Sequence, residues 1–130
     1  MASTRPDQGE PQAAMSAQVF QILLSLLDQD LHGYALIQDI RRRTAGEVAL
    51  TASTLYAATK RLLAADLIEE VEPADPPPNH DTRRRYYRIT SRGRAAARQE
   101  AQRLERLTAM AREKRLLGTL RAGAQPKGSR

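Results

Sequence analysis

The feature that most constrains the fold is a proline-rich interruption between two strand-like segments. Residues 67–72 (LIEEVE) and 84–90 (RRYYRIT) both have strand character, and the intervening residues 73–82 contain four prolines. Proline lacks the backbone N–H that a strand ladder requires, so the intervening segment must be a loop. We therefore expect a small β-hairpin with a long connection.

Positive charge is concentrated on the second of these strands. Residues 82–98 contain seven arginines and no acidic residue, whereas residues 28–81 contain five Lys or Arg and ten Asp or Glu. The whole chain carries a net charge of +6. A focused basic segment favours a polyanionic partner, with an ordinary solvated surface as the alternative.

Three helices are expected ahead of the hairpin, because apolar residues recur there at helical spacing. The first covers residues 15–28, and the second covers residues 34–43 after a turn at His32. The third is capped by Thr51 or Ser53, after a short extended bridge at 47–50. The residues of the third helix expected to face inward are Leu55, Ala58, Thr59 and Leu62.

A fourth, longer helix is expected over residues 91–117, which are rich in Ala, Arg, Leu and Glu. Its apolar stripe must be buried somewhere, most economically against a second copy of the chain. Packing of the stripe on its own domain is the alternative. The residues assigned to dimerisation are Ala97, Ala101, Leu104, Leu107, Met110, Ala111 and Leu117.

Three helices, a hairpin and a long helix, in this order, are typical of a winged helix-turn-helix with a C-terminal dimerisation helix. The predicted fold is mainly α with a small β-hairpin. The DNA-binding domain would cover residues 15–90 and the dimerisation helix residues 91–117. Residues 1–14 and the basic segment 118–130 are expected to be disordered tails.

In such domains the third helix reads bases in the major groove, while the wing contacts phosphates. The sequence leaves two alternatives for Tyr56: its side chain either contacts DNA or packs beneath the wing. Strand alternation places Tyr87 and Ile89 in the core, and Arg84, Tyr86 and Arg88 on the other face. The residues assigned to DNA binding are Thr51, Ser53, Thr54, Tyr56, Ala57, Lys60, Arg61, Arg83, Arg84 and Arg85.

Composition argues against several other classes of protein. Cysteine is absent and histidine occurs only at His32 and His80, which disfavours disulfides, metal sites and thiol chemistry. No catalytic constellation is evident, so we expect neither an enzyme nor a cofactor. The chain lacks a run of 18 apolar residues and a signal-peptide pattern, so a cytoplasmic location is expected.

Three segments of the chain resemble the PadR family of bacterial transcriptional regulators. Residues 22–40 resemble its first two helices with their His-Gly-Tyr turn, residues 50–72 its recognition helix, and residues 83–94 its wing strand. The resemblance implies a repressor that responds to a ligand or signal. It also implies the short subfamily, with a single C-terminal helix.

Three positions depart from residues that are common in that family. Asp30 stands in place of a proline, the pair Ala52-Ser53 in place of Pro-Gly, and Asp66 in place of a glycine. Because the second departure lies at the head of the recognition helix, the operator sequence stays open.

Taken together, these features predict a homodimeric transcriptional regulator that binds a palindromic double-stranded operator, located on the bacterial nucleoid. A small-molecule effector is implied by the resemblance alone. The alternative is a winged-helix interaction module or nucleoid scaffold without operator specificity. Sequence preference and salt dependence of DNA binding separate the two.

Overall fold

The computed structural model describes residues 15–73 and 84–118. Helices and strands follow in the order α1 (Ala17–Ser25), β1 (Leu31–His32), α2 (Gly33–Arg43), α3 (Ala52–Ala64), β2 (Ile68–Val71), β3 (Tyr86–Ile89) and α4 (Ser91–Glu113). The chain divides into two compact units, residues 1–100 and 101–130. The expected tail 1–14 and all but the first residue of the expected tail 118–130, together with His80 and Arg83, lie outside the described residues.

The first three helices each begin at a side chain that accepts a hydrogen bond from a backbone amide of the first turn. Such a contact satisfies one of the amides that a helix leaves without an internal partner. Thr51 is therefore the cap of α3, which was one of the two predicted alternatives, Thr51 and Ser53. The contacts are Ser16 Oγ with Val19 N (3.1 Å), His32 Nδ1 with Ala35 N (3.3 Å) and Thr51 Oγ1 with Thr54 N (3.1 Å).

Two helices are shorter than the sequence suggested. Helix α1 ends at Ser25 instead of near Asp28. Helix α4 ends at Glu113 because Arg115 adopts a left-handed φ of 64° and the amide of Leu116 returns to the carbonyl of Ala111 at 2.9 Å. This type of closure terminates a helix, so the predicted helical extent to residue 117 was wrong.

The sheet has three strands, where the sequence predicted only a hairpin. The central strand is β3, which is antiparallel both to β1, with Leu31 opposite Tyr87, and to β2, with Ile68 opposite Ile89. The two-residue strand β1 is too short to show alternation in the sequence. Residues 47–50 contain no strand, so the extended bridge expected there is absent.

The core lies between the three helices and one face of the sheet. All four residues predicted to face inward from α3 are buried, as are Tyr87 and Ile89 of β3. Tyr86 was placed on the opposite, open face, yet it is only 8% exposed. The ring of His32, which belongs to the unforeseen neighbouring strand β1, packs edge-on against it with centroids 5.2 Å apart and covers part of this face.

Thr90 and Gly93 join the sheet to α4. The Thr90 hydroxyl accepts a hydrogen bond from the amide of Gly93 at 2.9 Å and donates one to the carbonyl of Asp66 at 2.8 Å. The amide of Thr90 donates to the carbonyl of Leu67 at 3.1 Å. A Cβ atom at Gly93 would lie 2.1 Å from that same carbonyl oxygen. Only glycine therefore allows α4 to approach the turn after α3 this closely.

We predict that Gly93→Ala lowers the free energy of unfolding by about 2–3 kcal/mol, because the new methyl group must push α4 away from fixed backbone. Thermal or urea unfolding of the two proteins measures the difference. Gly118→Ala is the matched control, since a Cβ there meets nothing within 4 Å. Equal stability of the three proteins would contradict the close approach.

A buried carboxylate ties α1 to α2. Asp39 is 8% exposed, and its carboxylate accepts hydrogen bonds from the Ser25 hydroxyl at 2.7 Å and from Arg43 Nε at 2.9 Å. It also binds the guanidinium of Arg42. Arg43 reaches on to the side-chain oxygen of Gln21 at 2.7 Å. Arg42 and Arg43, in the last turn of α2, therefore bind a buried carboxylate in addition to complementing the helix dipole.

This network makes stability depend on pH. Burial opposes ionisation of Asp39, but the hydrogen bonds from Ser25 and Arg43 and the charges of Arg43 and Arg42 outweigh it and lower the pKa of Asp39. A carboxyl whose pKa is lower in the folded state stabilises the fold above its unfolded pKa of about 3.9. That contribution is lost as the pH falls through the folded pKa.

We predict that Asp39→Asn lowers stability at pH 7 by about 1–3 kcal/mol, because Arg43 loses its charged partner. The variant should also lose less stability than the wild type when the pH falls below about 4, since one acid-sensitive group is gone. Melting temperatures recorded from pH 7 to pH 3 test both statements. Asp28→Asn, which replaces an exposed acid, is the control and should follow the wild type.

Candidate nucleic-acid interface

The exposed face of α3 carries short polar side chains at its start and basic ones farther on. Thr51, Ser53, Tyr56, Ala57, Lys60 and Arg61 are exposed, and Thr54 is half-buried. The hydroxyl of Thr51 lies 2.8 Å from that of Thr54 and 3.4 Å from that of Ser53. Three hydroxyl groups therefore cluster at the head of α3, where little side-chain bulk limits the approach of another molecule.

Tyr56 lies at the surface and not beneath the wing. Its side chain is 65% exposed, and the ammonium of Lys60 lies 5.8 Å from the ring centroid. The structure therefore contradicts the alternative in which Tyr56 packs beneath the wing, and its contact with DNA stays a prediction.

The two described arginines that precede β3 have different partners. Arg84 Nη1 lies 3.3 Å from His32 Nε2, and no described carboxylate pairs with it. Arg85 Nη1 donates to Glu70 Oε2 at 2.6 Å. Partial burial and the charge of Arg84 lower the pKa of His32, which favours its neutral form. The hydrogen bond and charge of Glu70 raise the pKa of Arg85.

Two other arginines of the basic segment serve the fold. Arg88 makes two hydrogen bonds to the carboxylate of Asp30, at 2.9 and 3.2 Å, and so links β3 to the turn before β1. Arg94 donates to the carbonyl of Leu27 at 2.8 Å. The concentration of positive charge in the sequence therefore exceeds the charge available to a partner.

An open groove of about 360 Å³ lies between the start of α2, the exposed face of α3 and the start of β3. Arg84 and Arg85 line one side, and Tyr34, Tyr56 and Ala52 line the other. Sequence reasoning missed Tyr34, which is 63% exposed, and the contact of His32 with Arg84. The structure thus brings Ala52 and Tyr56 of α3 and the two arginines to one groove, whereas Ser53, Thr54 and Lys60 do not line it.

The residues assigned to dimerisation separate into two groups. Ala97 is 5% exposed and belongs to the core of the first unit, so its assignment to a dimer contact was wrong. In the second unit, Leu104, Leu107 and Met110 are 37%, 45% and 57% exposed. Ala101 is exposed, Ala111 is half-buried, and Leu117 lies beyond the end of α4.

Within residues 15–73 and 84–118, no group of three or more histidine or acidic side chains could hold a metal ion. None of the helices described is both long and apolar enough to cross a bilayer.

Helices α2 and α3, together with the three-stranded sheet, form a winged helix-turn-helix. Residues 22–99 match the transcriptional regulator PadR-like family. This match covers more than half of the chain, and the protein belongs to that family. The resemblance drawn from three sequence segments is thereby confirmed.

Solved structures share this fold, and one further protein is similar to part of the sequence. A transcriptional regulator from Clostridium thermocellum is 26% identical with a TM-score of 0.63, over 77% of this chain and 97% of that one. A PadR family regulator from Clostridium difficile has a TM-score of 0.65 at 23% identity, over 75% and 97% of the two chains, and this likeness concerns the fold alone. An uncharacterised protein from Lysinibacillus sphaericus is 37% identical over 76 residues, which span 57% of this chain and 65% of that protein.

Proposed function

We propose that this chain binds double-stranded DNA in a sequence-specific manner and regulates transcription as a homodimer. The observation that carries the proposal is the groove in which Ala52 and Tyr56 of α3 face the exposed Arg84, a guanidinium that no described carboxylate pairs with. Repression, release by a ligand or signal and a place on the bacterial nucleoid are part of the proposal. They rest on the family resemblance.

Base reading is assigned to Ser53 and Thr54. Their short hydroxyl side chains lie at the start of α3, the part of a recognition helix that enters the major groove. Lys60 follows Ser53 by seven residues, or about 10 Å along the helix axis, and is assigned with Arg61 to phosphates at the groove edge. Arg84 is assigned to the adjacent backbone. This division gives affinity to the cations and sequence preference to the hydroxyl groups.

Dimerisation is assigned to the exposed apolar side chains of α4. Large aliphatic residues such as Leu104, Leu107 and Met110 that cluster on an exposed helix mark an interaction surface. A second copy of the chain is the proposed partner, because a two-fold axis presents two α3 helices to a palindrome. The half-sites are then expected about one helical turn of DNA apart.

A scaffold or nucleoid role without operator specificity is the second candidate. The exposed cations favour it, since phosphate contacts alone bind every sequence equally. Sequence preference therefore decides between the candidates. We propose no catalytic activity for either.

We predict that substitutions of the assigned phosphate-binding and base-reading residues have different effects on DNA binding. Lys60→Ala and Arg84→Ala should weaken binding to selected and random duplexes alike. Each should reduce the slope of log K against log salt by about 0.9, the value for one lost phosphate contact. Ser53→Ala and Thr54→Ala should instead change which bases are preferred, at a cost of about 1–3 kcal/mol for a lost base contact.

A duplex selected from random DNA, a one-base variant and a random duplex, titrated at several salt concentrations, provide the measurement. Arg41→Ala, which removes an exposed charge at the far end of α2, is the matched control. Equal affinity of the wild type for selected and random duplexes would support the scaffold role. A changed preference in Arg84→Ala but not in the hydroxyl variants would reverse the assigned roles.

We predict that the double substitution Leu104→Asp and Leu107→Asp produces monomers, because two unpaired carboxylates would be buried in the seam. Sedimentation measures the mass, and operator binding should weaken in parallel. The control is Gln102→Asp with Ala109→Asp, which adds the same charge at exposed positions on the opposite side of α4. A dimer that survives the first pair of substitutions would place the interface elsewhere.

A further inference from the structure

Arg84 and Arg85 are neighbours in sequence, but among the described residues only Arg85 is paired with an acid. Glu70 belongs to β2, the strand hydrogen-bonded to β3, and its carboxylate is 2.6 Å from Arg85 Nη1. The two side chains are 67% and 42% exposed, for Arg85 and Glu70 respectively. Glu70 therefore neutralises Arg85 at the surface where DNA is proposed to bind.

The pair is one that a phosphate could replace. Exposed ion pairs contribute little net stability, because both partners are well solvated when apart. A phosphate oxygen offers a guanidinium the same charge-assisted hydrogen bond as a carboxylate. After such an exchange the charge of Glu70 is left next to a polyanion, which opposes binding.

We propose that Glu70 is an intramolecular competitor of the DNA backbone, which must be displaced before Arg85 can bind a phosphate. This inference rests on the proposed DNA binding and adds a negative determinant to the same surface. Because phosphates are alike in every sequence, Glu70 lowers the affinity for all duplexes equally.

Glu69 offers a matched comparison on the same strand. It carries the same charge as Glu70 and is also exposed, but strand alternation directs it to the other face of the sheet. It lies opposite Arg88, whose guanidinium is already bound by Asp30. Among the described residues Glu69 forms no ion pair, so its removal changes the net charge and releases no arginine.

The experiment compares Glu70→Gln and Glu69→Gln with the wild type, by titration of selected and random duplexes between 50 and 200 mM salt. Glu70→Gln should bind both duplexes more tightly and steepen the slope of log K against log salt by about 0.9, since one more phosphate is neutralised. Its affinity relative to the wild type should then grow about 3.5-fold from 200 to 50 mM salt. Glu69→Gln should stay close to the wild type.

A double-mutant cycle with Arg85→Ala tests whether the gain passes through Arg85. In that background, Glu70→Gln should add no more than Glu69→Gln adds. Arg85→Ala alone should also weaken binding less than Arg84→Ala, because its charge is already offset in the free protein. Melting temperature and sedimentation confirm that each variant keeps its fold and assembly, and Glu70→Ala serves as a second variant at this position.

Equal effects of Glu69→Gln and Glu70→Gln would overturn the inference, because they would reduce it to net charge. A full gain from Glu70→Gln without Arg85 would also overturn it. In both cases, salt-dependent binding by the wild type would leave the proposed function standing. A wild type that binds no duplex at 50 mM salt would overturn the function and the inference together.

Discussion

The contact of Gly93 with the carbonyl of Leu67 is the constraint on which the rest of the first unit depends. It presses the start of α4 against the turn that leaves α3, where Asp66 has a left-handed φ of 63°. Thr90 bonds to both sides of this junction and fixes the end of β3 next to the end of α3. The opposite end of β3 then carries Arg84 and Arg85 to the groove beside α3. Backbone packing far from the groove thus positions the cations that line it.

The basic segment shows that similar residues can have different physical roles. Arg88 and Arg94 bond within the protein and Arg85 is offset by Glu70, whereas among the described residues Arg84 contacts the imidazole of His32 and pairs with no carboxylate. Formal charge therefore overstates the attraction that this surface exerts on a polyanion. The balance between cation and internal acid sets both the affinity and its dependence on salt.

The sequence was most informative where structure depends on neighbouring residues. The inward face of α3 follows from periodicity and was confirmed. Of the two caps that the sequence allowed, Thr51 and Ser53, the structure shows Thr51. Strand β1 and the role of Arg88 were missed, because they depend on pairing between residues far apart; Arg88 and Asp30 are separated by 58 positions. A local pattern carries no information about such a partner.

The candidate site was predictable to a similar degree. The amphipathic pattern of α3 indicated which residues face outward, and the fold brings one of them, Tyr56, to the same groove as Arg84 and Arg85. Their roles in reading DNA stay predictions. Ala97 was misassigned because an apolar stripe shows that a face is covered, not what covers it. Tyr34 and Glu70 carried no distinctive signal, since an exposed tyrosine or glutamate is ordinary until its neighbours are known.

The imidazole of His32 has donors at both of its nitrogens. Nδ1 faces the amide of Ala35 and Nε2 faces Arg84, each at 3.3 Å. A neutral imidazole has a single acceptor nitrogen, so only one of these contacts can be a hydrogen bond at any moment. His32 can therefore accept a hydrogen bond from the Ala35 amide, which caps α2, or from Arg84, but not from both at once. When Nδ1 caps the helix, the hydrogen on Nε2 points towards the guanidinium, and His32 accepts no hydrogen bond from Arg84.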